Sequence, residues 1–148
     1  MGRWSQLLAP QFLSWARIPT GARVLDVGCG TGALTEAVLA SGAKHITGVD
    51  PSPAFVAYAT SRLSGQTTNV EFQVGDAVDL HFPDESFDAV VTGLVLNFIP
   101  DPAKALREMR RITKQHGIVS AYVWDYAEGM KMLRHFWDAA VALDPIAL

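Results

Sequence analysis

Three carboxylates stand just behind short apolar runs: Asp26 after Val24 and Leu25, Asp50 after Ile46 to Val49, and Asp76 after Val70 to Gly75. The first opens the stretch Asp26-Val-Gly-Cys-Gly-Thr-Gly-Ala33. Its glycines permit a tight turn and close backbone approach at the start of a helix. From Gly28 the spacing reads G-x-G-x-x-A, which satisfies the dinucleotide fingerprint and suits a phosphate. Asp26 does not suit one. A carboxylate repels a pyrophosphate and welcomes a cation, although it could equally accept from backbone amides and only fix the turn. Asp50 lies about 20 residues beyond Gly28, where an acidic side chain can accept from both hydroxyls of a ribose. Capping the helix that Ser52-Pro53 opens is its plainer role. Asp76 can accept from an exocyclic amine such as adenine N6, or be an ordinary loop residue. A ligand that faces all three should carry a positive charge, a ribose and an amine-bearing base rather than a polyphosphate.

Those positions need a scaffold that gathers strand ends, and the hydrophobic pattern supplies one. Trp4, Leu7, Leu8, Phe12 and Trp15 have helical spacing over 3–17, interrupted by Pro10, and a turn follows at 18–21. Strands are predicted at 23–27, 45–49, 70–74, 87–94 and 117–123. Helices are predicted between them: at 30–40; behind Ser52-Pro53, with Phe55, Val56, Ala59 and Leu63 as the buried stripe; behind Asp101-Pro102, with Ala105, Leu106, Met109 and Ile112 inward; and finally at 129–143. This alternation predicts an α/β fold, a Rossmann-like doubly wound parallel sheet of about five strands with right-handed crossovers and flanking helices. Ligands of such sheets sit beyond the carboxyl ends of the strands, where all three carboxylates fall.

With 148 residues, about half of them hydrophobic, the chain can bury a core as a single domain over 1–148. The formal charge of −3 is spread out, so neither a nucleic-acid nor a membrane-surface partner is signalled. The most apolar stretch, 87–99, holds Asp88, Thr92 and Asn97 and is too short to span a bilayer. With no secretory signal and a lone Cys29, a cytoplasmic location is expected. Cys29 has no His partner in its motif and reads as a small spacer. No metal-binding or hydrolase signature is present in the sequence. His81 reads as a surface loop residue, and His45, His116 and His135 as structural or solvated. Lys104, Arg107, Arg111 and Lys114 form a basic stripe at helical spacing, read as a solvated face.

The stretches "VLDVGCGTGALT" (24–35), "GVDPS" (48–52), "VGDA" (74–77) and "FPDESFDAVVTGLVLNFIPDP" (82–102) together resemble the class I S-adenosylmethionine-dependent methyltransferases of the small-molecule type. The resemblance runs from about residue 22 to 124 and implies S-adenosylmethionine as cofactor, with methyl transfer to a small-molecule acceptor. It implies that Asp26, Gly28, Cys29 and Gly30 face the methionyl part. Asp50, with Pro51 beside it, would bind the ribose, Asp76 and Ala77 the adenine, and Leu94 would floor the site near the sulfur. Asn97 would look toward the acceptor pocket, which Tyr122 and Trp124 could line. The opening "GRWSQLLAPQFLSW" is similar to the helix such enzymes lay over the cofactor, which makes residues 1–20 a lid with Trp4 a candidate lid residue. Two departures stand out. Gln115-His116-Gly117 replaces the common Pro-Gly-Gly, and the chain stops after five strands, lacking the usual C-terminal ones. Either the sequence is a fragment of a longer chain, or the fifth strand's edge is covered by a partner chain, a homo-oligomer being one solution. Two other functions remain open at this point: a non-catalytic cofactor-binding or scaffolding module, and an NAD(P)-dependent oxidoreductase. The nearest match to the Tyr-x-x-x-Lys of short-chain dehydrogenases ends in Arg62, and Asp26 argues against that function as well.

Overall fold

The computed structural model describes residues 2–65, 68–126 and 128–144. The strands are β1 (Arg23–Val27), β2 (His45–Asp50), β3 (Val70–Val74), β4 (Phe87–Gly93) and β5 (Thr113–Tyr122). The α-helices are α1 (Gly2–Ala16), α2 (Ala33–Ala40), α3 (Pro53–Ala59), α4 (Pro102–Ile112) and α5 (Lys131–Leu143). A π-helical turn, Thr60–Ser64, continues α3, and a 3-10 turn, Leu96–Phe98, follows β4.

The five strands are parallel in the order β3-β2-β1-β4-β5. The chain winds outward from β1 to β3 and then returns to β4, so the switch point lies between β1 and β4. Successive β1 residues bury on opposite faces. Val24 joins Phe12 and Leu13 of α1 and Leu34 and Val38 of α2; Leu25 joins Ala105, Met109 and Ile112 of α4. Burial on both faces is what a doubly wound parallel sheet demands of its central strands.

Several expectations are corrected in detail. α1 runs unbroken through Pro10, because Ala9, Phe12 and Leu13 are buried around it and offset the one hydrogen bond the imino nitrogen cannot make. α2 starts at Ala33 rather than Gly30, since Gly32 holds a left-handed backbone no helix can contain. β5 starts at Thr113, opposite Phe87, bulges through 114–117 with His116 at a φ of 64°, and regains register at Ile118 opposite Ala89. Phe55 and Leu106, expected inward, are exposed, and Val56 is only half-buried.

Arg111 is no solvated side chain. Its Nε and Nη2 donate to Glu108, its Nη1 to the Phe82 carbonyl and Asp84, and its Nη2 also to the Leu80 carbonyl, all at 2.7–2.9 Å. It anchors the segment that carries the chain from Asp76 and Ala77 back to β4. Replacing it by Ala should lower stability by about 1–3 kcal/mol in urea melts, the range for lost hydrogen bonds to charged groups. Lys should restore less than half of that, having no planar fork.

Candidate functional site

A cavity of about 560 Å³ opens beyond the carboxyl ends of β1 to β4, within the usual range for small-molecule sites. The end of β1 and the loop behind it contribute Asp26, Gly28, Cys29, Gly30 and Thr31; Asp50 ends β2 and is followed by Pro51, Ser52 and Phe55; behind β3 stand Gly75, Asp76 and Ala77. Gly93, Leu94, Val95, Phe98, Ile99 and Pro100 line it from the end of β4, and Ser5 reaches it from α1. All nine residues expected at a cofactor lie on this cavity. Trp4, Asn97, Tyr122 and Trp124 do not line it. Trp4 points outward and is exposed. Asn97 instead brackets the end of β5: its Nδ2 donates to the Trp124 carbonyl and its Oδ1 accepts from the Trp124 amide. The exposed His81 sits beside Asp79, away from the cavity. Sequence reasoning missed Ser5, Thr31, Ser52, Phe55, Val95 and Phe98 as lining residues. Thr31, Ser52, Val95 and Phe98 lie at the strand ends where a ligand is expected but carry no chemistry of their own, and Phe55's place in an apolar stripe points to the core.

The loop that satisfies the phosphate spacing is not built as a phosphate cradle. Gly28 and Cys29 both donate their N–H groups to the Val49 carbonyl, at 2.7 and 3.0 Å. Gly30 donates to Asp50 Oδ2 at 2.9 Å, and Gly32 to the Cys29 carbonyl at 2.8 Å. Four amides that an anion would need are therefore engaged inside the protein, and two carboxylates stand beside them. Asp50 also accepts from Ser52 N at 2.9 Å, so each of its oxygens keeps capacity for a second donor. Asp76 Oδ1 accepts from Val78 N at 3.0 Å.

Asp26 is fully buried. Its Oδ2 accepts from the Thr35 hydroxyl at 2.6 Å, and its Oδ1 has no partner. Burial pushes its carboxyl up to about 7, against the opposing hydrogen bonds from Thr35 and with help from the charge of Asp50. Burial likewise raises the Cys29 thiol, keeping it an inert neutral group. Leu94 holds a φ of 60°, unusual for a leucine, and is fixed there by donating its N–H to the Tyr122 carbonyl at 2.8 Å.

These features fit the cofactor implied by the resemblance. An ammonium would supply the donor that Asp26 Oδ1 lacks. The wall beside Gly30 is open, an added Cβ there meeting nothing within 4 Å. Among the described residues no cluster of three or more metal-ligating side chains occurs, and no helix is long and apolar enough to cross a membrane.

Comparison with known proteins agrees with this geometry. Residues 25–121 match the family described as "Methyltransferase domain". The chain is 34% identical to the 2-methyl-6-phytyl-1,4-hydroquinone methyltransferase of Synechocystis sp. over 124 residues, covering 84% of this chain and 39% of that protein. It is 41% identical to the demethylmenaquinone methyltransferase of Clavibacter sepedonicus over 97 residues, covering 66% of this chain and 39% of that protein. The chain thus spans about two fifths of the length of these relatives. Among solved structures it is similar to the [4+2]-cyclase SpnF, with a TM-score of 0.72 and 35% identity, covering 78% of this chain and 43% of that one.

Proposed function

Because the chain belongs to the methyltransferase domain family, we propose that it binds S-adenosylmethionine beyond β1 to β4 and serves methyl transfer to a small quinone or hydroquinone acceptor. The observation that carries this reading is the cavity's three carboxylates standing beside a glycine loop whose amides are already engaged. That arrangement favours a cation with a ribose over a pyrophosphate.

S-adenosylmethionine, when bound, supplies a methyl group on a positively charged sulfur. The protein's share is alignment and exclusion of water, and positioning of this kind supplies up to about 7–11 kcal/mol in the best intramolecular cases. Asp26 would hold the ammonium, Asp50 the ribose hydroxyls, and Asp76 with the Ala77 amide the adenine. Leu94, Val95, Phe98 and Ile99 give the cavity an apolar wall on the β4 side, suited to excluding water from a flat, apolar acceptor. The titratable groups on the lining are Asp26, Cys29, Asp50 and Asp76. None has a histidine partner on the lining, so the reading assigns no general base.

A second reading has its own support: one structural neighbour is named for a cyclisation. On that reading this fold binds the cofactor without transferring its methyl group. Calorimetry with S-adenosylhomocysteine and with NADH, followed by transfer of labelled methyl to a panel of hydroquinones, separates the two. Micromolar binding of the thioether, none of NADH and labelled hydroquinone are expected. NADH binding without thioether binding would overturn the proposal, and thioether binding without turnover on any acceptor would favour the non-catalytic reading. β5 is an edge strand of the described sheet. A homo-oligomer that pairs this edge would register as a doubled mass in light scattering.

A further inference from the structure

We infer that Ser5 and Tyr122 form a hydroxyl relay that recognises the carboxylate of the cofactor's amino-acid end; this rests on the S-adenosylmethionine reading above. Ser5 is buried, lines the cavity from α1, and accepts a hydrogen bond from the Tyr122 hydroxyl at 3.1 Å. Tyr122 is itself off the cavity but held from two sides. Its ring lies 4.8 Å, centroid to centroid, from that of Phe12. It also covers Gly93 so closely that an added Cβ would come within 2.5 Å of it. Burial, and to a lesser extent the charge of Asp26, raise the phenol above its ordinary pKa, so at neutral pH it remains a donor. Having accepted that hydrogen bond, Ser5 keeps its own hydroxyl hydrogen for an acceptor in the cavity.

The need for such a donor follows from the rest of the lining. The cavity presents Asp26, Asp50 and Asp76, and no Arg or Lys lines it among the residues whose side chains are described. A ligand that is cationic at its ammonium and anionic at its carboxylate would find an acceptor in Asp26 Oδ1, whereas its own carboxylate needs a donor that no carboxylate can supply. The other side-chain hydroxyls on the cavity are Thr31 and Ser52. Ser52 follows β2 with its own amide on Asp50, at the end of the cavity assigned to the ribose rather than the amino acid. Thr31 lacks a buried partner that would orient it, which makes it the control. Tyr122, acting through Ser5, is a positioning residue, whereas Ser5 would touch the ligand.

Three ligands isolate the carboxylate: S-adenosylhomocysteine, its decarboxylated aminopropyl counterpart, and 5′-methylthioadenosine, which has no amino-acid end. In calorimetry, Ser5→Ala should weaken S-adenosylhomocysteine about ten- to a hundredfold, the range for a hydrogen bond to a charged group, and Tyr122→Phe about three- to tenfold, the range for the neutral bond that orients Ser5. Both should leave the other two ligands within about twofold, as should Thr31→Ala for all three. Ala is well tolerated in a helix, and a thermal melt confirms that the Ser5 variant folds. Equal losses on all three ligands would mean that the pair only docks α1, and would overturn the relay. So would no loss, or a carboxylate-specific loss in Thr31→Ala instead. Wild-type protein that binds none of the three would sink the cofactor reading itself, and the relay with it.

Discussion

Asp26→Asn is expected to weaken S-adenosylhomocysteine binding at least a hundredfold and yet leave the unliganded protein no less stable than wild type at pH 8. The carboxyl sits near 7 in the fold, against 3.8 for an exposed aspartate, because it is buried. The folded state therefore holds this proton more tightly than the unfolded state, and stability falls as pH rises between those two values. Below about pH 4 the group is protonated in both states and imposes no penalty. Above about pH 7 it is ionised in both, and the full cost, on the order of 4 kcal/mol, is imposed. An asparagine amide left unpaired in the same place costs about 1–3 kcal/mol, which is less than the charge it removes. Melts from pH 5 to 8 should fall for wild type and stay flat for the variant. Binding should run the other way, with wild-type affinity for the ammonium-bearing ligand improving as pH rises through 7. A variant that still binds within threefold of wild type, or that is least stable relative to wild type at pH 8, would remove Asp26 from its assigned role. The orphaned Oδ1 thus marks a residue that burdens the empty fold and that, on the proposed function, would gain its partner from the ligand's ammonium.

The three carboxylates were legible because each stands within two residues of a strand's carboxyl end, Asp26 and Asp50 inside β1 and β2 and Asp76 just past β3, and parallel strands must bring those ends together. Capping by Ser52 and Asp101 was equally local, each side chain accepting from an amide three residues on. What stayed hidden was set by distant partners. Whether the glycine loop binds an anion depends on its amides, and these are taken by Val49 and Asp50 of the neighbouring strand. A basic stripe on α4 looks like any solvated face until Arg111 meets the carbonyls of Leu80 and Phe82. Phe55 keeps helical spacing with core residues, but α3 has only two turns' length, and its exposed face borders the cavity as well as solvent. Ser5 became visible only when α1 was seen docked against Tyr122 at the far end of the chain.

Gly28→Ala and Gly30→Ala, two positions in one loop, are expected to fail in opposite ways. Both residues hold left-handed backbone, with φ of 74° and 53°, and an alanine in that region costs about 1–2 kcal/mol. At Gly28 the new methyl would also lie 2.5 and 2.6 Å from the two methyls of Val95. Valine is stiff at its first side-chain torsion, so the segment behind β4 must move, and overpacking of this kind adds about 1–3 kcal/mol. At Gly30 the methyl meets nothing within 4 Å, and the penalty ends with the backbone. Urea denaturation should therefore show Gly28→Ala losing two to three times as much stability as Gly30→Ala. Calorimetry should reverse the order of surprise: Gly30→Ala, close to wild type in its fold, should bind S-adenosylhomocysteine more than tenfold weaker, because its methyl occupies open volume on the cavity wall. Equal destabilisation by the two changes would contradict the packing around Val95. Undiminished binding by Gly30→Ala would mean that the ligand's amino-acid end does not lie against this loop, and the assignment of Asp26 to the ammonium would fall with it.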